Sequence, residues 1–97
     1  MNNFRVLTKD FSANESAVID IRSLGLINRF GTLIFENQTG KAAQFSWQRD
    51  ETPYGEKRTG YFKEIMNDLG VKVSHYKGFI TVTNGGGSQH LEVELQV

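Results

Sequence analysis

The chain has 97 residues, 38% of them hydrophobic and 11% aromatic, which predicts one domain with a single core and places it outside the disordered class. Eleven Lys and Arg balance eleven Asp and Glu, so no net field draws the chain to nucleic-acid phosphates or an anionic membrane, and nucleic acid is disfavoured as a partner. Cysteine is absent, which excludes disulfides, Cys-ligated zinc, iron–sulfur clusters and thiol nucleophiles while leaving localisation open.

In chain order, residues 3–8 put Phe4 and Val6 on one face and predict a first strand. The opening MNNFRVLTKD has no basic stretch followed by an apolar core, and no apolar run approaches the roughly 18 residues of a membrane span, so neither a secretory signal nor a span is expected. Residues 17–21 alternate Ala17, Ile19 and Ile21 against Val18 and Asp20, a second and mostly buried strand. Residues 23–30 are apolar, interrupted by Gly25 and without a clean period, as in a crossing loop or short turn.

Residues 31–49 carry the clearest local signal. Leu33 and Phe35 alternate with polar neighbours, then Asn37, Gln38, Thr39 and Gly40 form a turn, and Ala43, Phe45 and Trp47 alternate again. Two period-2 runs across such a turn predict a β-hairpin with one dry face. Residues 50–60, with the only Pro, read as a long polar loop and the first place to look for a contact surface.

Phe62, Ile65, Met66 and Leu69 then fall at i, i+3, i+4 and i+7, which predicts a short α-helix over 61–69 closed by Gly70 in the left-handed conformation. A helix of nine residues is marginal alone, so its stripe is expected to dock on a sheet. Residues 70–76 and 79–83 alternate as strands across a Lys77-Gly78 turn. In 90–97, Leu91, Val93, Leu95 and Val97 face opposite to Glu92, Glu94 and Gln96.

The expectation is a mainly β fold, an antiparallel β-sandwich forming one domain over residues 1–97, with one short α-helix near 61–69. In outline it resembles immunoglobulin-like and jelly-roll modules. The Cys-Trp-Cys signature of immunoglobulin domains is missing, and the likeness carries no motif from which an activity would follow.

Gly85, Gly86 and Gly87 lead into a strand and are not followed by the Gly-Lys-Ser/Thr that opens a helix in a phosphate loop, so they read as a flexible hairpin turn. His75 and His90, fifteen residues apart, could meet across the sheet, yet a metal would need a third ligand and their spacing fits no zinc pattern. No Gly-x-Ser-x-Gly elbow is present, and the carboxylate pairs Asp50/Glu51 and Glu92/Glu94 sit in a polar loop and on a wet strand face, where they read as solvated charge. No catalytic, cofactor or metal residues are therefore assigned. Arg49, Tyr54, Lys57, Arg58 and Tyr61 mix cations with aromatics around the 50–60 loop and are the expected partner-binding residues, because Tyr and Arg are enriched where proteins meet.

These observations lead to the expectation of a non-enzymatic structural or adaptor subunit of a larger assembly, binding protein partners that include copies of itself. Its most specific version is a virion accessory or capsid-associated protein. The alternative is a small carbohydrate-binding module offering an exposed ring of Trp47, Tyr54 or Tyr61, and exposure of Trp47 separates the two.

Overall fold

The computed structural model describes residues 3–24, 31–51 and 57–97. These form strands β1 (Asn3–Phe11) and β2 (Ser16–Asp20), one turn of 3-10 helix (Ile21–Leu24), then β3 (Thr32–Asn37), β4 (Ala42–Glu51), β5 (Lys57–Asn67), β6 (Val71–Tyr76), β7 (Phe79–Asn84) and β8 (Gln89–Gln96). Every pairing is antiparallel. A five-stranded sheet runs β1-β8-β3-β4-β5 and a three-stranded sheet β2-β7-β6. Their inner faces share one core, making a β-sandwich.

The period-2 pattern of the sequence is the cause of this layering. Leu91, Val93 and Leu95 of β8 alternate with Glu92 and Glu94, and all three aliphatics are fully buried between β1 and β3. Burying each such side chain is worth about 1.5–3 kcal/mol relative to exposure. Leu33 and Phe35 of β3 and Phe45 of β4 lie beside them, with Phe35 and Phe45 edge to face at 5.6 Å between ring centroids. Ile19, Ile80, Val82 and Val71 close the core from the smaller sheet.

The helix expected over 61–69 does not form. Residues 57–67 are strand β5, paired with β4 from Glu51↔Lys57 to Ala43↔Asn67. The register shifts where Gln44 faces Met66 and Phe45 faces Glu64, leaving Ile65 as the extra residue of a β-bulge. A bulge moves every later side chain by one position. Phe62 before it is buried, whereas Ile65 within it is exposed and Met66 after it is half-buried. Spacing that reads as one helical stripe is therefore two strand segments out of phase. A lone nine-residue helix could not compete with a full ladder to β4. Leu69 is buried and Gly70 has φ +69°, as expected, but in the tight turn into β6 rather than at a helix end.

At one pole, three strands end in asparagine, and each asparagine ties its own turn. The Asn37 side-chain carbonyl accepts from the amides of Thr39 and Lys41 at 2.9 and 3.0 Å. Asn67 gives its amide to the Val71 carbonyl at 2.8 Å and accepts from Leu69 and Val71 at 3.3 Å. Asn84, with no exposed surface, donates to the carbonyls of Ser12 and Gly87 at 3.0 and 2.9 Å and accepts from Gly86 and Gln89 at 3.2 and 2.8 Å. Of the glycine run expected to be flexible, Gly85 and Gly86 lie close to neighbouring backbone, while Gly87 is open. A Cβ on Gly85 would sit 2.5 Å from the Gly70 carbonyl oxygen, and one on Gly86 would sit 3.0 Å from that of Leu69.

Candidate protein-contact site

The opposite pole carries the β4–β5 hairpin and the Lys77-Gly78 turn between β6 and β7. Of the expected contact residues, Arg49, Lys57 and Arg58 are placed by the backbones of β4 and β5, while their side chains lie outside the described residues. Tyr54 lies outside them altogether. Tyr61 is on β5 opposite Gln48, 50% exposed, and Ile65 is exposed on the same strand. The loop expected at 50–60 is shorter than its sequence suggests, because β4 runs on to Glu51 and β5 starts at Lys57. Sequence reasoning missed Ile65. The helical spacing places it on a buried stripe, whereas the bulge brings it to the surface.

Behind this strand stands an aromatic wedge. Trp47 is half-buried, its ring edge to face with Phe62 at 5.1 Å and with His75 at 4.7 Å. Gly60 lets the indole lie on the β5 backbone, since a Cβ there would be 2.3 Å from Trp47 Cζ2 and 2.6 Å from the Gln48 carbonyl oxygen. His75 Nε2 accepts from the Gly78 amide at 3.1 Å, and a hydrogen bond links His75 to the Gly60 backbone. One imidazole thus joins an edge strand of the large sheet to a hairpin of the small one.

That geometry sets a pH dependence. Burial lowers the His75 pKa from the ordinary 6.5, and the hydrogen bond to Gly60 opposes the shift without reversing it. The folded chain binds this proton less readily than the unfolded chain. Stability from His75 is therefore complete above pH 6.5 and declines as pH falls below that value toward its folded pKa. Melting curves at pH 7.5, 6.5 and 5.5 should show a falling Tm in the wild type and a flatter profile in His75→Gln, on the ordinary imidazole pKa of about 6.5. Glu15 titrates in a separate, lower window. The Ser12 amide, first, and then Lys9 hold its pKa below the ordinary carboxylate value of 4.5.

The two histidines do not meet. His75 belongs to the small sheet and His90 to the large one, where its Nδ1 is 2.7 Å from Asp10 Oδ1 across the β1–β8 ladder. Among the described residues no three His, Cys, Asp or Glu side chains are grouped to hold a metal ion. Among the same residues no helix is long and apolar enough to cross a membrane. Comparison with protein-family profiles, with curated proteins and with solved structures finds no match.

Edge strands leave one side of their backbone unpaired, and the four among the described strands differ in how open they are. The small sheet is bounded by β2 and β6, of five and six residues. β1 is interrupted by a register shift between Arg5 and Leu7, and its Arg5 is bridged to Glu92 and Glu94 at 3.3 and 3.2 Å. Short length, bulges and charge all blunt an edge. β5, at eleven residues, lies at the other edge of the large sheet, and although it too is bulged at Ile65 it keeps the greatest length of edge backbone among the described strands. It carries Lys63 and Glu64 as well as the exposed Tyr61 and Ile65.

Proposed function

We propose that this protein is a non-enzymatic structural or adaptor subunit that docks onto other proteins along β5. One observation carries the reading: a long edge strand holds two large apolar side chains, Tyr61 and Ile65, half or more exposed. A strand added alongside β5 would gain main-chain hydrogen bonds, and those two side chains would give it specificity. The packed state of Trp47 favours protein contact over sugar binding, because its ring is occupied by Phe62 and His75. A capsid-associated subunit is the narrower form of the proposal, and rests on sequence alone.

A photo-crosslinking amino acid in place of Tyr61, irradiated in extracts of cells that make the protein, should yield one adduct of defined mass. The same group at Thr39, at the far pole, should yield none. Ile65→Ser should reduce the Tyr61 adduct several-fold. No adduct at Tyr61, or equal adducts at both positions, would remove this reading.

A further inference from the structure

The outer faces of the two sheets differ in charge. On the large sheet, the register places Arg5, Glu94 and Ile34 in one cross-strand row and Thr8, Glu92 and Glu36 in the next. Glu36 and Glu92 are directly opposed. Like charges in that position destabilise a sheet. Three carboxylates here share one guanidinium, and the Glu92 and Glu94 bridges both go to Arg5. Arg5, Glu36, Glu92 and Glu94 surround Ile34 in a shallow depression of about 70 Å³.

The outer face of the small sheet is the converse. Its rows are Asp20-Phe79-Tyr76, Val18-Thr81-Ser74 and Ser16-Thr83-Lys72. Tyr76 is 69% and Val18 61% exposed, the two most exposed large apolar side chains among the described residues. Cations border them. The Arg22 guanidinium lies 4.1 Å over the Phe79 ring and is bonded to Asp20 at 3.1 Å, Lys77 stands 5.4 Å from the Tyr76 ring, and Lys72 ends the outermost row. Three cations thus meet one carboxylate around an apolar centre.

We infer that the occupant of each face is the other face of a second copy of this chain, with Tyr76 and Val18 seated over Ile34 and with Lys72 and Lys77 against Glu36 and Glu92. This inference rests on the subunit reading above and adds a self-contact distinct from the β5 edge. Because the two faces are different, the contact is head-to-tail and leaves an unused face at each end, so it builds chains or closed rings rather than a two-fold dimer. Three strands spaced about 4.8 Å apart and five or six residues long cover roughly 300 Å², less than the 800 Å² per partner of a standard interface. A single contact is therefore weak and salt-sensitive, and chains lengthen only as the protein concentration approaches its dissociation constant.

The test is sedimentation of the full chain from about 10 μM to 1 mM at low and high salt, where screening weakens exposed charge pairs. Mass should rise past the dimer with concentration at low salt and return to monomer at high salt. Glu36→Lys with Glu92→Lys, and separately Lys72→Glu with Lys77→Glu, should each stay monomeric with an unchanged far-UV circular dichroism spectrum. Tyr76→Ser should do the same without altering charge. An equimolar mixture of the two charge-reversed proteins should associate again, because each then offers the complement of the other. A monomeric wild type at 1 mM and low salt, association that survives either reversal, or a mixture that remains monomeric would each overturn the inference. None of these results bears on the Tyr61 adduct, which tests the subunit reading by itself.

Discussion

Asn84→Ala should destabilise the fold by about 3 kcal/mol, near the upper end of what single substitutions do. The residue has no exposed surface and its amide makes four hydrogen bonds, to Ser12, Gly86, Gly87 and Gln89. Its backbone also accepts from Asn14 at 2.7 Å and donates to Glu15 at 2.8 Å. Truncation would leave donors and acceptors from the β1–β2 turn and the β7–β8 loop unmatched around a fully buried position. Urea unfolding should give a lower midpoint at an unchanged m-value. Asn37→Ala, at the partly exposed turn between β3 and β4, provides the comparison at about 1 kcal/mol. Equal losses in the two variants would mean that the Asn84 network contributes no more than an ordinary turn.

Gly60→Ala should be nearly as damaging, at about 2–3 kcal/mol for overpacking a close contact. The added methyl would meet Trp47 Cζ2 at 2.3 Å and the Gln48 carbonyl oxygen at 2.6 Å. The indole can rotate away, but the carbonyl belongs to β4 within the β4–β5 ladder and cannot move without loosening the pairing. Displacing the indole would also separate it from His75 and Phe62. The protein has one Trp, so its emission reports this site alone. A red shift together with lost stability is expected, and unchanged emission with unchanged stability would refute the close packing.

Seven of the eight strands among the described residues are legible in the sequence because one face of each is dry, and a period of two is the direct imprint of that. The hairpin centred on Gly40, the one-sided last strand and the Lys77-Gly78 turn, whose residues both have positive φ, are of this kind. β5 is not legible, for the reason that it is bulged. One inserted residue turns spacing by twos into spacing by threes and fours, and Phe62, Ile65, Met66 and Leu69 then imitate a helix. No local signal marks a bulge whose cause is the register with β4. The exposure of Tyr61 agrees with its place among the expected contact residues, while that of Ile65 is hidden by the same imitation of a helix. Tyr76 and Val18 were visible only as members of alternating strands, since which face of a three-stranded sheet is left uncovered depends on how the sheets pack.

β8 follows every other strand in the sequence yet lies inside the large sheet, with β1 on one side and β3 on the other. Its register runs from Asn3↔Gln96 to Phe11↔Gln89 on one flank and from Thr32↔Gln96 to Asn37↔Leu91 on the other. During synthesis, β1 and β3 have no common neighbour until residues 89–96 have left the ribosome. Leu33 and Phe35 must wait, with one side unfilled, for Leu91, Val93 and Leu95. Such non-local closure is slow, and the waiting strands are open to wrong pairing. Closure of the large sheet therefore waits for β8, and a ribosome paused before residue 89 would hold a chain whose large sheet is still in two pieces.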